Sequence, residues 1–127
     1  MKIAAIVAAM LLAVVTVFQI ALALGAPLGK AAWGGRYEGI LPKRLRIASG
    51  VTAVVVYPLT ILAILVSAGL IEGEWMPGEG RQVMWILVGL FTLGGLANLA
   101  SRSKIERYWA PVSLAVAACC AVIANAL

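Results

Sequence analysis

Four long apolar runs, separated by three polar gaps, organise this chain. Residues 3–24, 47–70, 83–100 and 110–127 contain no charged side chain. A helix needs roughly 20 mostly apolar residues to cross a bilayer, with a working range of about 17–25. The pattern therefore predicts four spans and one integral membrane domain over residues 1–127. Folded together, they make an all-α, transmembrane four-helix bundle. The third and fourth runs are short, about 27 Å each from the helical rise, and are expected to cross with little tilt.

The first run admits a second reading. It has Lys2 ahead of it and an Ala-x-Ala at Ala21–Ala23, which are features of a cleaved signal peptide. Its apolar stretch is longer than the roughly 7–15 residues of a signal core, so a retained span is the expectation.

Composition agrees with the pattern. The chain is 64% hydrophobic and 12% charged, with a mean hydropathy of +1.06. Soluble domains sit near about 45–50% apolar and about 25% charged. A chain this short leaves much of its surface facing solvent, so that solvent has to be lipid.

The net charge of +5 is not spread as a nucleic-acid surface would be. The first gap holds Lys30, Arg36, Lys43, Arg44 and Arg46, and the third holds Arg102, Lys104 and Arg107. Only Lys2 and Arg81 fall on the other side, where Glu72, Glu74 and Glu79 lie. Basic loops stay in the cytoplasm. Loops 25–46 and 101–109 are thus expected inside a bacterial inner membrane, with both termini outside.

The first gap, Gly25 to Arg46, is 22 residues long, whereas connections between packed helices usually run about 2–8. Gly25 directly follows the apolar run and suits a left-handed cap, and Pro27 suits the first turn of a new helix. A short interfacial helix over Pro27–Trp33, stopped by Gly34-Gly35, is predicted. Trp33 and Tyr37 are its expected anchors at the headgroups, with Trp109 on the same side and Trp75 and Trp85 on the outer side. Lys43, Arg44 and Arg46 are candidates to hold anionic lipid headgroups. The stretch is either a well-anchored loop or a functional cover over the inner mouth of the bundle.

In the third gap, Ser103-x-x-Glu106 is a capping-box pattern that would start a helix at Lys104. Pro111 should kink that helix. Stripes of small residues mark the packing faces: Ala5, Ala9 and Ala13; Ser49, Ala53, Thr60 and Ser67; Gly94-Gly95; and Ser113, Ala117, Ala121 and Asn125. Pro58 should bend the second span. Gln19 and Asn98 are amides at membrane depth, where polar groups usually face the protein interior. They are expected either to bond between helices or to line a small site beneath the glycine-rich loop.

The residues for chemistry are sparse. There is no histidine, hence no histidine base for a nucleophile and no metal-ligand cluster. Adjacent Cys119 and Cys120 do not have zinc or redox spacing and read as small apolar helix residues. Glu38 and Glu106 would be the one acid–base pair; solvation within their basic clusters is the plainer expectation. No cofactor is expected. Small multidrug exporters of this length carry a first-span glutamate that is missing here, and the charge bias argues against the dual insertion of many small fluoride channels.

The segments "GAPLGKAAWGGRYEGILPKRLR" and "NLASRSKIERYWAP" resemble the two loops of a group of small four-span bacterial membrane proteins of uncharacterised function. That resemblance implies no activity, ligand or catalytic residue. The expected role is a structural or interaction component, with a homo-oligomer or a membrane-protein partner. The alternative is an oligomeric small-solute transporter or channel.

Overall fold

The structure, a computed structural model, describes residues 1–73, 76, 78–101 and 103–127. Trp75, the expected outer anchor, lies outside the described residues, as do Glu74 and Arg102 from the charge count. The described residues are helical, without strands, and four helices are long and apolar enough to cross a membrane. This is a multi-pass membrane protein.

Helix α1 covers Lys2–Ala23. The second span is continuous from Lys43 to Ser67. It is built of α2 (Lys43–Val51), a π-helical segment (Thr52–Val56) and α3 (Tyr57–Ser67). Pro58 accounts for the π segment: it has no N–H, and its ring crowds the carbonyl four residues back. A wider turn just ahead relieves that clash, and the Tyr57 N–H accordingly bonds the Thr52 carbonyl. Helix α4 spans Gly80–Leu99, α5 is the single turn Lys104–Arg107, and α6 runs Trp109–Ala126. The break at Tyr108 sits where the Pro111 ring would crowd the helix.

Helix α6 packs chiefly on α4, and α1 touches α6, α2 and α3. Lipid gives helices no hydrophobic reason to associate, so close backbone approach matters. Gly95 supplies it: a Cβ there would lie 2.7 Å from the Leu114 side chain. Beside it, the Ser113 hydroxyl donates to the Phe91 carbonyl across the α4–α6 contact at 2.7 Å.

On α1 the buried positions are Ala5, Ala8, Leu12 and Leu22, so of the expected Ala5, Ala9 and Ala13 only Ala5 is buried. Ala13 is exposed. Steps of four drift about 40° each around a 3.6-residue helix, and mixed steps of three and four hold one face. On α6, Ala117 is buried and Asn125 exposed, so the expected stripe leaves the contact near the chain end.

The buried core occupies the end of the molecule that carries both termini. Ala5, Ile64, Ala68, Met84, Cys120 and Ile123 close that half, and Leu12 and Val116 reach toward the middle. At the other end, Leu22, Ala32 and Leu41 form a second small core, bringing the first loop back onto α1.

Candidate functional site: a cavity under the first loop

The first loop is ordered by its own contacts. Gly25 takes the left-handed conformation expected of a cap, with φ +95°. The predicted helix over Pro27–Trp33 is replaced by two three-residue 3-10 turns, Gly29–Ala31 and Trp33–Gly35. The cause is tertiary. The Gly29 N–H donates to the Gly39 carbonyl at 2.8 Å, and a Cβ on Gly29 would lie 2.7 Å from two carbonyl oxygens. The chain crosses itself there, and Ala32 is extended with φ −149° to make the turn. Trp33 follows with φ +53°, a strained value for a bulky residue. Its indole N–H is held by the Ser49 hydroxyl at 3.0 Å.

The other sequence candidates divide between internal contacts and open surface. Arg46 Nε donates to the Ala23 carbonyl at 3.3 Å, satisfying one of the orphan acceptors at the α1 terminus. Arg44 donates to the Tyr37 hydroxyl at 3.3 Å, and Tyr37 packs on the small loop core. Lys43 is exposed. Lys30 and Glu38 pair at 3.1 Å with both side chains exposed, a contact worth roughly 0–1 kcal/mol. Trp85 is exposed on α4.

Beneath this loop lies a cavity of about 400 Å³, within the roughly 300–1,000 Å³ of small-molecule sites. Ala31, Ala32 and Trp33 roof it; Phe18, Tyr57, Phe91 and Trp109 are aromatic walls. Its inner end is apolar, with Leu12, Val15, Leu90 and Val116. The polar groups gather at the loop end: Gln19, Asn98 and Glu106. Gln19 and Asn98 thus share one cavity, but no hydrogen bond joins them.

Three buried polar atoms lack a hydrogen-bond partner among the described residues: Gln19 Oε1, Glu106 Oε2 and Trp109 Nε1. All three belong to residues that line this cavity. Buried polar groups are nearly always paired, so their convergence on one space is a chemical signal. Glu106 is 7% exposed, contrary to the solvated state expected of it, and no described cation pairs with it. Trp109, expected as an anchor at the headgroups, has its ring against Phe18 with centroids 4.7 Å apart.

The inward turn of Glu106 has a local origin. In a full capping box its carboxylate would reach back to the Ser103 N–H. Here that N–H donates to Ser101 Oγ at 3.2 Å. Ser103 Oγ still accepts from the Glu106 N–H, weakly, at 3.5 Å. Only half the box forms, and the carboxylate is released toward the cavity. The Ser101-x-Ser103 spacing is the one sequence sign of this. Ser49 is buried as its place in the small-residue stripe predicts, whereas Phe18 and Tyr57 carry no sequence sign that separates them from ordinary span residues.

Comparison of the chain with protein-family models, with curated proteins and with solved structures finds no match. Among the described residues no group of histidine, cysteine or acidic side chains could hold a metal ion.

Proposed function

We propose that this chain is a membrane-embedded binding component that takes up a small amphipathic molecule from the loop end of a four-helix bundle. Its role is structural or regulatory rather than catalytic. The observation that carries this is the convergence of Gln19, Glu106 and Trp109, each with an unpartnered buried polar atom, on one cavity. Leaving a buried polar group unpaired costs about 1–3 kcal/mol, and a ligand with complementary groups recovers that cost.

Two further features support binding over conduction. The unpartnered polar groups gather at the loop end, and the half carrying the termini is filled by Ala5, Ile64, Met84 and Ile123. A solute path through one chain would need that half open. The basic loops favour a cytoplasmic setting for the loop end of the cavity, at a bacterial inner membrane, with exposed Lys43 and Arg44 near anionic headgroups.

The test is a thermal-shift series in nanodiscs with nine-carbon amphiphiles of differing head groups. At least one should raise the melting temperature of the wild type. Val112→Phe, which fills the cavity from α6, should lose that shift while still melting cooperatively. No shift with any head group would end the binding reading.

A further inference from the structure

We infer that the cavity selects a cationic amphiphile: an ammonium head on an apolar body, with Glu106 as its counter-charge. This rests on the binding reading above and names the ligand class.

The charge of the lining decides it. Among the described residues that form the cavity, Glu106 is the one charged side chain, and neither lysine nor arginine is present. An anionic head would meet an uncompensated carboxylate, whereas a cation would neutralise it. A buried charge is tolerated when it is paired and hydrogen-bonded. The carboxylate is more than nine-tenths buried, its Oε2 is unpartnered, and Gln19 Oε1 offers a second acceptor to the same donor-rich head.

The walls fit the same head. Cations sit favourably over the faces of tryptophan, tyrosine and phenylalanine. Trp33, Trp109 and Phe18 surround the polar end, and Tyr57 and Phe91 lie deeper. Below them the apolar end at Leu12, Val15, Leu90 and Val116 suits a hydrocarbon or ring body. A head with donors, a positive charge and an attached apolar tail satisfies the two unpartnered acceptors, the aromatic walls and the apolar end. The Trp109 indole N–H, itself a donor, needs an acceptor that an ammonium does not supply. A zwitterionic phospholipid does not fit, because its phosphate would find no cation among the described residues of the lining.

The experiment compares nonylamine, nonanol and nonanoate on the full-length protein in phosphatidylglycerol nanodiscs, which contain no ammonium group of their own. The amine should bind about tenfold more tightly than the alcohol, a difference of about 1.4 kcal/mol, and the carboxylate more weakly than both. Glu106→Gln should bring amine and alcohol to equal affinity, which also controls for the attraction of amines to the anionic bilayer. The wild-type ranking stands even where that variant does not fold. Alcohol equal to or tighter than amine on the wild type would overturn the ligand class and leave the binding site intact. Binding of none of the three would overturn both. Adding phosphatidylethanolamine should leave the melting temperature unchanged; a shift as large as the amine's would put a lipid headgroup in the cavity and overturn the exclusion of a phosphate.

Discussion

The Ser103 hydroxyl donates to the Lys30 backbone carbonyl at 2.6 Å, across 73 positions of sequence. The same oxygen accepts from the Glu106 N–H at the start of α5. One side chain therefore fastens the loop that roofs the cavity and begins the helical turn that presents Glu106 to it. Removing it should loosen both. Ser103→Ala is expected to lower stability by about 1–2 kcal/mol, combining a lost cap with an unpaired carbonyl. Hydrogen exchange should quicken between residues 29 and 41 with little change in α4. Unaltered exchange there would mean that the loop is held by the Leu22–Ala32–Leu41 core alone.

Gly35 and Gly39 separate backbone strain from crowding. Both have positive φ, +70° and +77°. A Cβ on Gly35 would lie 2.6 Å from Ser103 Cβ, whereas one on Gly39 meets nothing within 4 Å. Gly39→Ala should cost about 1 kcal/mol, the left-handed penalty for a residue with a Cβ. Gly35→Ala should cost clearly more and displace the loop. Equal melting temperatures for the two variants would count against the close packing of Gly35 on Ser103.

Within the "KRLR" cluster the cations should behave unequally. Arg46→Gln removes the bond to Ala23 and is expected to destabilise the protein by about 1 kcal/mol. Lys43→Gln, at an exposed position, should leave the melting temperature unchanged. It should instead reduce co-purifying anionic lipid, since each basic residue near the surface is worth about 1 kcal/mol of lipid attraction. Lipid retention that falls only with Arg46→Gln would reverse the assignment.

Gln19 and Asn98 line one cavity without bonding to each other, so their leucine variants should combine additively. A double-mutant cycle should give a coupling below about 0.5 kcal/mol. Gln19→Leu alone should leave stability unchanged or raise it, because it removes a buried acceptor that lacks a partner. A coupling near about 1 kcal/mol or more would show that the two amides pair in the membrane.

Threading is testable with Glu38→Cys and Gly78→Cys, each in a background of Cys119→Ala and Cys120→Ala. Both chosen positions are exposed. In intact cells an impermeant thiol reagent should label position 78 and miss position 38. The opposite pattern would invert the orientation taken from the basic loops.

How much of this was readable along the chain depends on the range of the interaction involved. Each span follows from a local property, an apolar length matched to a bilayer, and so the four runs predicted four helices. The second span begins earlier than its uncharged run because Lys43, Arg44 and Arg46 are themselves helical; long basic side chains can carry their charge outward from a helix end. The Gly25 cap and the helix start after Ser103 are equally local, set by backbone freedom and by one hydroxyl. What neighbours in sequence do not determine is which groups meet. Pro27–Trp33 has the composition of a short helix, but the crossing of Gly29 with Gly39 removes the room for it. Glu106 sits among basic residues that suggest a solvated carboxylate, and only Ser101 beside it and Lys30 held above it turn it inward. Gln19, Glu106 and Trp109 come from three separate helices. Their unpaired atoms face one cavity because helix packing in lipid is decided by contacts between distant small residues, and a cavity belongs to that packing, not to any one segment.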